Sequence, residues 1–99
     1  MIERERTYRV DGARSAWRQV GDEGVVLDLD RSLYFGLNRS AGVLWPLLLT
    51  GADHRQLVEA LLAAAPEIDE PRASGEVSSF LAAVDAEGLL VAASIDGLP

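Results

Sequence analysis

Cysteine and lysine are both absent from this 99-residue chain, and histidine occurs once, as His54. Without cysteine there is no disulfide framework, no thiol nucleophile and no zinc-finger spacing. With a single imidazole, a transition-metal site would have to be built almost entirely from carboxylates. No metal and no cofactor is expected. The nine basic side chains are all arginine and face sixteen acids, for a formal net charge of −7. A duplex-binding domain neutralises phosphates with a basic patch, so this balance speaks against a nucleic-acid partner. Long apolar runs are missing too. The longest, Val43 to Leu49, is far too short to span a bilayer, and the charged start lacks the apolar core of a signal peptide. These absences predict a soluble, cytoplasmic protein with no membrane partner.

Catalytic patterns are equally sparse. No nucleophile elbow frames a serine. The glycines fall singly, at turns and helix ends, and make no phosphate-cradling loop. His54, beside Asp53 and Arg55, reads as a surface residue. Asp28 and Asp30 lie two apart on a strand, where turn formation accounts for them more simply than a carboxylate pair does. The expectation is a protein that is not an enzyme.

What is present is a single domain, residues 1–99, with 48% hydrophobic residues, enough for one modest core. Residues 1–12 are polar, with Tyr8 and Val10 as anchors of either a short edge strand or a loose arm. Ser15–Val20 has strand character around Trp17. A turn at Gly21–Gly24 leads to a strand at Val25–Leu29, with Val25, Leu27 and Leu29 on one face and Val26 and Asp28 on the other. Asp30-Arg31-Ser32 reverses the chain into a third strand, Leu33–Leu37. There Leu33, Phe35 and Leu37 share a face opposite Tyr34 and Gly36. Three strands with short turns make an antiparallel meander whose third strand is an edge.

Helices follow. Asn38 or Ser40 caps the first, which carries Val43, Leu44, Trp45, Leu48 and Leu49 and stops at Thr50-Gly51. Pro46 should kink it. Asp53 caps a second helix bearing Leu57, Val58, Leu61 and Leu62, which Pro66 ends. After a polar connector over 66–75, a third helix runs from about Gly75 to Glu87 with Val77, Phe80, Leu81 and Val84 as its stripe. Gly88 closes it, an apolar tail covers Leu89–Ile95, and Asp96–Pro99 is expected to fray. Strands followed by helices give an α+β fold.

Two features remain after the core is assigned. Tyr34 and Gly36 lie on an edge strand, where a glycine lets another backbone come close. An edge offers unpaired amides and carbonyls to which a peptide adds as a further strand. The apolar stripe of the third helix serves the core, or the core and a groove beside that strand; periodicity does not separate the two.

The block Val25-Val-Leu-Asp-Leu-Asp-Arg-Ser-Leu-Tyr-Phe-Gly-Leu-Asn38, followed by Ala41-Gly42, Trp45, Gly51 and Glu87-Gly-Leu-Leu-Val91, resembles PqqD-like proteins. These are the peptide-recognition elements of ribosomally made and modified peptide pathways. The likeness spans about residues 15–91. It is nearest to the standalone leader-binding proteins of lasso-peptide biosynthesis. The resemblance implies a winged helix-turn-helix-like domain, a three-stranded antiparallel sheet followed by three helices. It implies that the leader of a precursor peptide binds as an added strand and is delivered to a leader peptidase, a macrocyclase or other maturation enzymes. Carried onto this chain, the contacts fall on Arg31, Ser32, Leu33, Tyr34, Phe35, Gly36 and Leu37 of the strand and on Glu76, Val77, Phe80, Leu81 and Val84 of the helix. Acids at Asp28, Asp30, Glu70 and Glu76 would suit a basic leader. The alternatives are a PqqD-type chaperone for pyrroloquinoline quinone or radical-modified peptide synthesis and, behind it, a winged-helix DNA-binding regulator. Two positions depart from the family pattern: Ser32 stands where glycine is common, and Pro46 where a helix-friendly polar residue is.

Overall fold

The computed structural model describes residues 6–21 and 23–91. Along the chain lie β1 (Thr7–Val10), β2 (Ser15–Val20), β3 (Glu23–Asp28), β4 (Leu33–Leu37), α1 (Arg39–Thr50), β5 (Ala52–Asp53), α2 (His54–Ala64), α3 (Glu70–Ala86) and β6 (Leu90–Val91). The expected meander is there: β2, β3 and β4 form an antiparallel sheet in that order, with Trp17 opposite Val26 and Val26 opposite Phe35. With three helices after it, the fold is α+β.

The sheet buries the face that looked less apolar. Gly24, Val26 and Asp28 point inward, while Val25 is exposed and Leu27 half-buried. Packing decides this. A side chain at Gly24 would meet Leu37 at 3.3 Å, tighter than ordinary contact, and Trp17 at 3.5 Å, so the glycine eases the approach of Leu37 to the strand. Asp28 is buried because it is neutralised. Its carboxylate accepts from Arg14 Nη2 at 3.1 Å and Arg31 Nε at 2.7 Å, and from the backbone amides of Asp30 and Arg31. The same two arginines reach the far end of α3: Arg14 donates to the Gly88 carbonyl, and Arg31 to the carbonyl and carboxylate of Glu87. One carboxylate thus ties the β3–β4 turn to the end of α3. In that turn Ser32 takes a positive φ of 58°, which explains why glycine suits the position.

The first strand is neither an edge nor an arm. It is the centre of a second small sheet, β5-β1-β6, in which Thr7 and Tyr8 pair with Asp53 and Ala52, and Arg9 and Val10 with Val91 and Leu90. Gly51, at φ 104°, makes the sharp exit from α1 into β5.

Local signals set the helix starts. Asn38 accepts from the Ala41 amide, Asp53 and Gln56 form a capping box, and Asp69 accepts from the Arg72 amide. The third cap moves the start of α3 five residues ahead of the expected Gly75, with Pro71 in its first turn, where a missing amide costs nothing. α1 runs unbroken through Pro46, which faces solvent. Leu44, Trp45, Leu48, Leu57, Leu61 and Val77 are among the most fully buried side chains of the core. The tail beyond Val91, including the segment expected to fray, lies outside the described residues.

Hydrogen bonding to Arg14, reinforced by Arg31 and two backbone amides against the cost of burial, holds the Asp28 carboxyl far below the ordinary carboxylate range. A depressed carboxyl contributes stability above its unfolded pKa of about 4 and loses it as pH falls toward the folded value. Acid titration of the native protein should therefore show stability falling below pH 4. Asp28→Asn should lower the thermal midpoint at pH 7 far more than Arg55→Ala, which breaks only an exposed pair with Glu59, and should flatten that acid limb. Equal midpoints for the two variants would refute the role of Asp28.

Candidate functional site

Between β4 and α3 the surface opens into a groove of about 1010 Å³. Phe35, Gly36 and Leu37 form one side, α3 forms the other, and Val26, Ala41, Leu44 and Trp45 lie between them. Its direction follows from two observations. Arg31, just before β4, bonds Glu87 at the end of α3. Asn38, Arg39 and Ser40, just after β4, line the groove together with Arg72, Gly75 and Glu76 from the start of α3. Strand and helix therefore run antiparallel along the two walls.

β4 pairs with β3 on one side only; among the described residues no strand pairs with its other edge. That edge borders the groove. An exposed row of backbone donors and acceptors beside an apolar floor suits an extended chain: main-chain bonds to the edge, with alternate side chains turned down onto the floor.

The helix wall is not the apolar stripe. Val77 and Leu81 are buried in the core at 0% and 7% exposure and do not line the groove. The wall is the neighbouring helical face, Arg72, Glu76, Ser79, Phe80, Ala83 and Glu87, with Val84 shared between the two. These positions recur every three or four residues, as a helix face must, but mixed polarity hid them behind the apolar stripe. Of the residues the resemblance pointed to, Phe35, Gly36, Leu37, Glu76, Phe80 and Val84 meet here. Arg31 is engaged by Asp28 and Glu87, and stacks its guanidinium 5.8 Å from the Phe35 ring. Ser32 and Leu33 lie outside the groove lining, and Tyr34, 72% exposed, points from the opposite face of the sheet.

Sequence reasoning missed the contribution of α1. Its Arg39, Ala41 and Leu44 line the groove, and Trp45, buried as an ordinary core residue, also forms part of the floor. The Trp45 indole nitrogen is buried without a hydrogen-bond partner in the protein. The acidic flank expected for a basic peptide does not assemble. Asp28 is buried and paired, Asp30 faces Arg14 at 3.4 Å, and Glu76 is bound to Arg72 at 3.2 Å. Among the described residues no three His, Asp or Glu side chains gather as a metal site requires. His54 contacts Ser78 at 3.1 Å.

Residues 23–90 match the family described as coenzyme PQQ synthesis protein D, PqqD. The chain belongs to the PqqD family. The match starts at β3 and ends in β6, so it contains both walls of the groove. A solved structure, "TbiB1 in Complex with the TbiA(beta) Leader Peptide", superposes with a TM-score of 0.72 at 26% identity, covering 92% of this chain and 98% of that one. A comparison with curated protein sequences finds no match. The resemblance read from the Tyr34-Phe-Gly-Leu-Asn38 block and the downstream tryptophan thus holds at the level of the family. No helix among the described residues of this PqqD-family chain is long and apolar enough to cross a membrane.

Gly36 needs no glycine for packing: a side chain there would meet no atom within 4 Å. Gly36→Thr places a β-branched residue on an open strand face and should leave the thermal midpoint unchanged or raised. A fall of several degrees would show that this position is conformationally constrained.

Proposed function

We propose that this protein binds the leader segment of a ribosomally made precursor peptide. The leader adds as a strand along the free edge of β4 and lies in the groove against α3. The observation that carries this reading is the juxtaposition of an unpaired strand edge with an apolar groove, in a chain that superposes on a family-sized domain solved with a leader peptide. The protein does no chemistry itself. It holds a flexible leader so that the attached core peptide meets a processing enzyme at raised effective concentration. Ordering the leader costs free energy, so moderate affinity is enough. Within this class the lasso-peptide assignment is preferred over a role in quinone-cofactor synthesis, on the resemblance of the Val25–Asn38 block to the standalone leader-binding proteins of that class. A leader peptidase and a macrocyclase are then the enzymes served, in the cytoplasm.

Phe80 is the side chain to test, since it is half-buried, lines the groove and belongs to the α3 wall. Labelled leader peptides, the TbiA(beta) leader among them, are titrated by fluorescence polarisation against the native protein and Phe80→Asp, with a DNA duplex as control. Saturable leader binding that weakens at least tenfold in Phe80→Asp, with its circular dichroism unchanged, is the expected result. In a Trp17→Phe background Trp45 is the sole indole, and its emission should change with the same saturation curve. A folded protein that binds no leader, or binds the duplex instead, would overturn the proposal.

A further inference from the structure

The two ends of the groove differ in how their charges are satisfied. At the Glu87 end, the carboxylate already accepts from Arg31 at 3.0 Å. At the other end, Arg39 lines the groove with no acidic partner within ion-pairing distance among the described residues, and Arg72 spends only its Nε on Glu76. The lining charges are Arg39 and Arg72 against Glu76 and Glu87. The lining therefore sums to zero, because Arg31, outside it, is shared between Asp28 and Glu87. This local balance contrasts with the net charge of the whole chain, which is −7. The first turn of α1 begins at Arg39 and contains no acidic residue, so its positive dipole end adds to the same region.

Resting on the peptide-binding reading above, we propose that the groove selects peptides carrying an acidic side chain, which seats against Arg39 where β4 runs into α1. The apolar floor of Leu44, Trp45 and Phe80 accepts apolar side chains from any strand-forming peptide and discriminates little among them. The unpaired guanidinium supplies a charge-specific contact at one end, which also fixes the register of the added strand. Arginine suits this task because its planar fork meets a carboxylate with two hydrogen bonds. Arg39 is exposed, so the contact acts locally and is screened by salt.

The test uses a phage-displayed library of random 12-residue peptides, selected on the native protein and counter-screened on Phe80→Asp. Peptides that survive are synthesised and titrated by fluorescence polarisation. The expected outcome is an Asp or Glu at a fixed distance from the apolar anchors, with affinity falling about threefold to tenfold in Arg39→Glu. Replacing that acid with arginine should restore binding to Arg39→Glu while weakening it to the native protein. Glutamate in the first turn of α1 favours the helix, so the variant keeps its fold. Binding at 0.5 M NaCl should lose the difference between acidic and neutralised peptides. Selected peptides that lack an acid, or that bind Arg39→Glu as well as native protein, would overturn the inference while leaving the groove reading intact. A library that yields no peptide sensitive to Phe80→Asp would overturn the groove reading and the inference with it.

Discussion

A single buried carboxylate, Asp28, sets the geometry on which the groove depends. Its side chain has no exposure and sits at the end of β3, where the chain turns into β4. Two arginines satisfy it, and both carry the connection onward to Glu87 and Gly88 at the close of α3. Together with the core packing of Leu37 and α3, this junction fixes the separation of strand and helix across a space that is largely open. Burying an ion group is costly and a buried pair adds little net stability. What it supplies here is position. The meander's turn and the helix end are joined by charge-assisted hydrogen bonds, and the two walls diverge from that junction. Burial in the core of Val77, Leu81 and Val84 holds α3 along the rest of its length.

Much of this was legible from the sequence, and the misses have particular causes. The meander, the caps at Asn38 and Asp53, and the family signature all rest on local pattern and were readable. The burial of the β3 face was not. Val25, Leu27 and Leu29 make the more apolar row, yet Gly24, Val26 and Asp28 are inside, because a glycine eases the approach of Leu37 and an aspartate finds Arg31 three residues on and Arg14 fourteen residues back. Hydropathy cannot report a partner fourteen residues away. The central place of β1 depends on β5 and β6, pairs of two residues each, too short to carry any periodicity. On α3 the apolar stripe was visible, but it marks the core. The groove face lies beside it and mixes Arg72, Glu76, Ser79 and Phe80, a pattern that reads as plain surface until β4 is placed opposite.

An exposed strand edge is usually a hazard, since it templates pairing with any other extended chain, including a second copy. Several properties of this chain reduce that hazard without closing the edge. β4 is only five residues long, and a short edge offers few pairing sites. The helix wall of the groove stands beside the edge and leaves an extended segment less obstructed than a whole sheet. The net charge of −7 repels identical copies at distances within a Debye length, about 8 Å at physiological ionic strength. That repulsion would also weaken an acidic ligand if it extended into the groove. It does not need to, because the acids that line the groove, Glu76 and Glu87, are each held by an arginine, and Asp28 is neutralised in the interior. Global charge and local charge therefore do different work. The acidic exterior disfavours self-association and nucleic acid, whereas the groove, balanced in charge, leaves the edge of β4 open to an extended peptide.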